Sequence, residues 1–323
     1  MDQVWSDHKE FLSEVEQQIQ KGIQSKVPLV NKVTDHILSS GGKRIRPLLV
    51  IISAHLCDYL DKERIYLASG IVEFIHTATL LHDDVIDNAE VRRGIAPARV
   101  LWGNQASILV GDYLYTLALS HAVQMDSFEI NNLLAPTCLR MAGGERLQLS
   151  HDNERSLTEE TYLQIIEYKT AMLISASCRL GAIIAKASEE KKDALAHFGK
   201  NIGIAFQVAD DTLDYVADGG RLGKSLGEDL KEGKITLPLL HLLQHCGVEE
   251  RGWVSKIMRA GTFRSEDLQQ VIALMESQGS IAYAVQQAQR YADDAKAALS
   301  VFEDSPHRRS LLTIADYVVQ RDH

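Results

Sequence analysis

Two segments of the chain, Asp83-Asp84-Val85-Ile86-Asp87 and Asp210-Asp211-Thr212-Leu213-Asp214, share the form D-D-x-x-D. At helical spacing the first and last aspartates of each lie one turn apart on one face, and the middle one is turned about 100° away. Stacking like charges costs energy, and both segments fall near the predicted C-terminal end of a helix, where the macrodipole disfavours anions. A solvated acidic face is the ordinary reading of one such helix. The residues leading in, Ile71 to His82 and Ile202 to Ala209, are too apolar for it. Carboxylates at the ends of buried helices are relieved by hard divalent cations, and carboxylate oxygen completed by water and phosphate is the usual setting of Mg²⁺. The spacing does not fit an EF-hand loop, and nothing supports a Cys or His site for a softer metal.

Basic loops flank both clusters. Lys43, Arg44 and Arg46 precede the first, Arg92 and Arg93 follow it, and Lys224, Lys231 and Lys234 follow the second. Carboxylates that hold Mg²⁺, Mg²⁺ that holds diphosphate oxygens, and Arg or Lys on the oxygens left over form one consistent set. Gly223-Lys224-Ser225 looks like the end of a P-loop. Asp218 stands where its leading glycine belongs, however, and a helix rather than a strand precedes it, so that reading is rejected.

The elements that carry these residues are predicted to be helices. Gly (21) and Pro (6) are sparse in the 323 residues, and the proline-free stretch between Pro136 and Pro238 is rich in Ala, Leu and Ile with little strand-like alternation. Helices are expected from Val4 to about Leu38, from Pro47 to Cys57, from Glu63 to about Asp87, from Gln105 to Gln124 and from Ser127 to Leu149. Others should run from a Thr158 cap to about Lys186 and from Asp193 to about Val216, with the last starting near Pro238, Ser265, Ser280 and Ser305. No repeat or linker is found, which predicts one all-α domain over residues 1–323.

Lys plus Arg number 34 and Asp plus Glu 44, for a net charge of −10, which argues against nucleic acid as a partner. At 45% hydrophobic and 24% charged residues the chain can bury a large core. Cys57, Cys138, Cys178 and Cys246 sit singly, without a zinc or disulfide pattern, which fits a reducing cytoplasm. The polar N-terminal residues resemble no targeting peptide, and no run reaches the roughly 18 apolar residues of a transmembrane span.

The ordered set Gly41-Gly42-Lys43-Arg44-Ile45-Arg46-Pro47, His82 to Asp87, Arg92-Arg93-Gly94, Phe206-Gln207, Asp210 to Asp214, Gly223-Lys224 and Gly233-Lys234 resembles the motifs of trans-polyprenyl diphosphate synthases. The resemblance covers roughly residues 5 to 322. It implies a bundle of antiparallel helices around a deep central cavity, of the isoprenoid synthase type, working as a homodimer. Asp83, Asp84 and Asp87 match the first aspartate-rich motif and Asp210, Asp211 and Asp214 the second, together binding Mg²⁺, about three ions per active site, and an allylic prenyl diphosphate. Arg92, Lys169, Lys224 and Lys234 match contacts to that diphosphate. Lys43, Arg46, His76 and Arg93 match the pocket for isopentenyl diphosphate, and Thr170 and Gln207 match polar groups near the reacting carbons. Glu145-Arg146-Leu147-Gln148 departs from short-chain relatives, which often have Gln and Asp there.

The activity so implied is ionisation of the allylic C–O bond, attack by the isopentenyl double bond and loss of a proton, with no Ser, Cys or His nucleophile. Ala78 and Thr79, one turn before Asp83, are small where short-product relatives carry bulky aromatics. This implies a long product, an octaprenyl chain serving as a quinone side-chain precursor and handed on to a membrane enzyme. Alternatives are a shorter (about C15–C20) product, a terpene cyclase, and a regulatory subunit of a heteromeric synthase. The second D-D-x-x-D opposes the cyclase, and retention of all six aspartates opposes the subunit.

Overall fold

The computed structural model of the chain describes residues 1–39, 42, 44–92, 94–150, 157–216, 227–260 and 264–320. Helices follow one another throughout: α1 (Asp2–Asp7), α2 (Lys9–Gly22), α3 (Pro28–Ser39), α4 (Ile45–Leu56), α5 (Lys62–Ile86), α6 (Ala98–Gln124), α7 (Phe128–Ser150) and α8 (Glu159–Ile166). A π-helical turn, Glu167–Ala171, leads into α9 (Met172–Ile184). Then come α10 (Glu189–Val216), α11 (Glu228–Lys231), α12 (Leu237–His245), α13 (Val248–Ala260), α14 (Ser265–Ser277), α15 (Ser280–Ala298) and α16 (Pro306–Val319). The fold is all-α, as the sequence predicts. Among the described residues the one β-type pairing is the single bridge Arg92–Ile95.

The chain groups into two compact units, one of Met1–Cys138, Leu173–Ala196 and Val301–Leu311, the other of Leu139–Met172, His197–Ser300 and Leu312–His323. In the first, α4 is buried at every residue from Pro47 to Leu56 and forms the centre of the core. The Asp61 carboxylate caps α5 by accepting the Arg64 N–H. Along α5 and α6, His82 meets Ile108, the Phe74 ring lies tilted against His121 and Arg64 reaches Met125, so the two helices run antiparallel. By length and composition α5 alone among the described helices could cross a membrane. Since 72% of its apolar window is buried inside the protein, it is a core helix.

In the second unit, Tyr162, Ile166, Ala171, Ile204, Val208, Leu237, Leu240, Ala284 and Ala288 make one apolar cluster, which joins α8, the π turn, α10, α12 and α15. A second cluster gathers Tyr215, Leu230, Leu239, Leu242, Val254, Val271 and Met275. Its member Val254 lies on α13, a helix the sequence reading did not set out, because Gly252 and the charged first turn obscure its apolar spacing.

Other boundaries differ from expectation for identifiable reasons. The continuous N-terminal helix is three helices. Pro28 cannot continue α2, and Asn31 closes the break by accepting the Ser25 N–H and donating to the Ser25 carbonyl, both at 3.0 Å. In α6 the helix begins at Ala98, seven residues early, but Gly103 at φ 84° and ψ 162° interrupts it before the predicted start. The helix expected from Thr158 to Lys186 keeps its cap, with Thr158 Oγ1 accepting the Thr161 N–H at 3.1 Å, and takes in one extra residue as the π turn.

Candidate active site

Asp83 and Asp84 occupy the last turn of α5 and Asp87 is its C-cap residue, its N–H bonded to the Asp83 carbonyl at 2.8 Å. Apolar residues pack the rest of this helix into the core, and that burial holds the acidic end in place against its own repulsion. Asp84 is only 1% exposed, while Asp83 is half-buried and Asp87 exposed. The guanidinium of Arg92 bonds the buried Asp84 carboxylate and supplies the countercharge it needs. Arg92 is presented by a tight turn in which it exchanges backbone hydrogen bonds with Ile95 at 2.8 and 3.1 Å, and Arg99 anchors the preceding turn by donating to the Ala89 carbonyl at 2.7 Å.

Upstream on the same helix, His76 is half-buried, Ala78 is fully buried, and the partly buried Thr79 donates its hydroxyl to the His76 carbonyl at 2.9 Å. Arg46 lies in the first turn of α4. Its neighbour Arg44, which the sequence places in the same basic loop, sits at φ 43° and reaches Glu73 at 2.5 Å, Glu16 at 3.2 Å and the Leu38 carbonyl at 3.0 Å. That triple attachment fixes the entry to α4. Lys43, Arg93 and Lys224 lie outside the described residues.

The second cluster repeats the burial pattern of the first. Asp211 is 6% exposed and Asp210 and Asp214 are half-buried. Three predicted residues and one unforeseen one form a chain of hydrogen bonds there. Thr170 donates to Gln207 Oε1 at 2.9 Å, Gln207 Nε2 donates to Asp211 Oδ1 at 2.7 Å, and Tyr162 donates to Asp211 Oδ2 at 2.6 Å. Burial pushes the Asp211 carboxyl up to about 6 against the pull of these donors and of Lys234, and Asp210 adds to the push. Burial also raises Tyr162 well above the usual phenol range, so it keeps its proton and remains a donor. Tyr162 escaped the sequence reading because a tyrosine beside Ile165 and Ile166 on an amphipathic face reads as core.

Asp214 accepts the backbone N–H groups of Glu228 and Asp229 at 3.1 and 3.0 Å, capping α11, which thereby follows the acidic helix end directly in space. Just beyond, Lys234 pairs with Glu232 at 2.6 Å. The π turn carries Lys169 and Thr170, and it is clasped by two glycines. A Cβ on Gly144 of α7 would stand 2.9 Å from the Tyr168 Cβ, and one on Gly203 of α10 would stand 2.5 Å from the Ala171 Cα. Lys169 is paired with Glu145 at 2.8 Å and with Gln148 at 2.7 Å.

Each cluster of three aspartates offers only carboxylate oxygens, the chemistry that suits a hard divalent cation. Among the described residues no three His, Cys, Asp or Glu side chains form a ready-made metal cage. Mg²⁺ does not require one, because it keeps several waters and takes one or two carboxylates together with substrate phosphate. A cavity of about 780 Å³ in the second unit, lined by Glu159, Glu160, Glu167, His197, Lys200 and Tyr291 among others, contains none of the predicted site residues.

Residues 27–275 match the model of the polyprenyl synthetase family. The chain belongs to the polyprenyl synthetase family. This synthase is a trans-prenyltransferase by that membership. It is 41% identical over 300 residues to octaprenyl diphosphate synthase of Escherichia coli, covering 93% of this chain and 92% of the relative. It is 38% identical over 312 residues to octaprenyl diphosphate synthase of Haemophilus influenzae, covering 97% and 94%. The fold matches the crystal structure of a polyprenyl synthase from Caulobacter crescentus, complexed with calcium and isoprenyl diphosphate. The TM-score is 0.93 at 36% identity, with 100% of this chain and 98% of that one covered.

Proposed function

We propose that this synthase condenses isopentenyl diphosphate with an allylic prenyl diphosphate, repeatedly, to an octaprenyl diphosphate. The observation that carries the reading is the paired burial pattern. Each D-D-x-x-D ends a core helix with its middle carboxylate buried and held by donors, Arg92 on Asp84 and Tyr162 with Gln207 on Asp211. Likeness to octaprenyl synthases from two bacteria supports the product length. The chain is read as one functional synthase domain.

Mg²⁺ would be held by Asp83, Asp84, Asp87, Asp210 and Asp214, and would supply Lewis-acid neutralisation of diphosphate charge, the ions numbering about three. Arg92, Lys169, Lys224 and Lys234 bind the allylic diphosphate oxygens, so negative charge growing on the leaving group as the C–O bond ionises meets fixed cations. Lys43, Arg46, His76 and Arg93 hold isopentenyl diphosphate with its double bond towards the allylic carbon. Thr170 and Gln207, already joined to each other, present their oxygen dipoles near the developing positive charge. The proton lost from the new chain passes to the released diphosphate. Small side chains at Ala78 and Thr79 leave the lengthening chain a path beside α5. Exclusion of water and positioning supply most of the rate.

All four cysteines are free, which accords with a reducing cytoplasm as the place of action. The product is handed to an enzyme that works at a membrane. Incubation with isopentenyl diphosphate, Mg²⁺ and allylic starters of increasing length, with products measured by mass spectrometry, tests the whole reading. An octaprenyl product is expected, shortened by Ala78→Phe and lost in Asp83→Ala and Asp210→Ala. Near-normal turnover in the aspartate variants overturns the mechanism, and an unchanged product in Ala78→Phe overturns the chain-length assignment.

A further inference from the structure

The environment of Lys169 contains more than the proposed activity uses. An ammonium has three N–H donors. Lys169 Nζ has three acceptor oxygens around it: Glu145 Oε1 at 2.8 Å, Glu145 Oε2 at 3.0 Å and Gln148 Oε1 at 2.7 Å. Two of its N–H groups are taken by hydrogen bonds to Glu145 Oε2 and Gln148 Oε1, and the other carboxylate oxygen adds a close ion-pair contact, so the protein itself already holds the cation. A diphosphate oxygen drawn to Lys169 competes with the Glu145 carboxylate for the same positive charge. The backbone on both sides cannot yield, because the π turn lies in van der Waals contact with Gly144 on α7 and Gly203 on α10. The side chains can, since those of Lys169 and Glu145 are 24% and 25% exposed and Glu145 has solvent to swing into.

We propose that Glu145 is a built-in competitor for the diphosphate, holding Lys169 in the empty enzyme, surrendering it to the incoming allylic diphosphate and reclaiming it as inorganic pyrophosphate leaves. Gln148 is the neutral third arm of the same clasp. The inference rests on the reading of Lys169 as a diphosphate contact and deepens it, because it makes Glu145 the residue that sets how tightly pyrophosphate is held between cycles. An enzyme that adds many units one after another releases a pyrophosphate at each addition. Every retained pyrophosphate would block the next one, so a carboxylate waiting for the ammonium serves repeated turnover. The opposite role for Glu145, a scaffold that aims Lys169 at the diphosphate, predicts the opposite sign when its charge is removed.

The test is calorimetric titration of inorganic pyrophosphate, with Mg²⁺ present, into the whole protein and three variants: Glu145→Gln, Lys169→Met and the double substitution. Glu145→Gln keeps shape and an acceptor oxygen but loses the charge. It is expected to bind pyrophosphate about three- to thirtyfold more tightly, the range between an exposed ion pair and a charged hydrogen bond in a sheltered site. Lys169→Met should bind it more weakly, and in that background Glu145→Gln should have little further effect. Should Glu145→Gln fold poorly, Glu145→Asp, which is too short to span the clasp, carries the same expectation. Weaker or unchanged pyrophosphate binding in Glu145→Gln, alongside weaker binding in Lys169→Met, overturns the competitor and leaves the diphosphate site standing. Tightening that persists undiminished in the double variant also overturns it, since general charge removal then accounts for the effect. An unaltered affinity in Lys169→Met removes the diphosphate reading of that residue, and this inference with it.

Discussion

Tyr162 and Asp211 are both buried, and the hydrogen bond between them at 2.6 Å is the shortest in the chain that runs from Thr170 through Gln207. Removing the phenol leaves the carboxylate with one donor fewer in a place water cannot reach, and a buried polar group stripped of a partner costs about 1–3 kcal/mol. Tyr162→Phe is therefore expected to lower the free energy of unfolding by that amount, read as a fall in the urea midpoint. It should also raise the Asp211 carboxyl above its present value of about 6, since the lost bond is one of the influences holding it down. Denaturation at neutral pH and the acid limb of the pH–rate profile read the two effects separately. A variant with unchanged stability would mean that the bond contributes nothing net. The D-D-x-x-D motif could be found in the sequence because its signal is a spacing within one helix. Tyr162 could not, because its partner is 49 residues away and only the fold brings the two together.

At the scale of elements, the same contrast separates what was predicted from what was not. The cap of α8, and the apolar run that makes α5 a core helix, are local and were readable, whereas the Asp61 cap of α5 was not foreseen. The π turn depends on contacts from α7 and α10, and the break before α3 depends on Pro28 together with the reciprocal Asn31–Ser25 bonds. A third non-local feature joins α1, α2, α4 and α16. His8, between the first two helices, lies with His55 and His307 at ring-centroid distances of 5.2 to 6.3 Å. Burial lowers all three imidazoles, His55 to about 4, and their mutual repulsion lowers His8 and His55 further, while Asp7 and Asp58 pull the other way on His8 and His307.

These histidines are neutral in the fold and titrate near 6.5 when unfolded. Between about pH 6.5 and 4 the unfolded chain binds protons the folded one does not, so this contribution to stability is complete above 6.5 and is lost as the pH falls through that window. Urea midpoints measured at pH 7.5 and 5 should differ more for the natural chain than for His55→Leu. Equal differences would show that the cluster does not carry the acid sensitivity.

For the whole molecule, the sequence's net charge of −10 and its even spread of apolar residues describe a large helical protein without saying where it meets another chain. Helix α6 carries an exposed face that bears on that point. Past the break at Gly103, its positions 105, 108, 112, 116, 119 and 123 recur at three- and four-residue intervals and are all exposed, so they form a single outward face. Ile108, Leu119 and Val123 are on it, with Leu109 alongside and Gln105, Asp112 and Thr116 between them, and Val123 is 68% exposed. Four large apolar side chains exposed along one core-packed helix fit an interaction surface. The homodimer that the family resemblance implies would use it, because a two-fold axis lays the same face of one copy against that of another. The face already carries Asp112, and a further carboxylate among its apolar residues puts two more charges, one from each copy, where contact would strip them of water, at a cost far above that of a solvated charge. Ile108→Glu is therefore expected to shift sedimentation from the mass of two chains to that of one at micromolar concentration, with the helical circular dichroism retained. A variant that still sediments as a dimer would move the interface to another face, and a natural chain that sediments as a monomer would leave the stripe of α6 to a different partner.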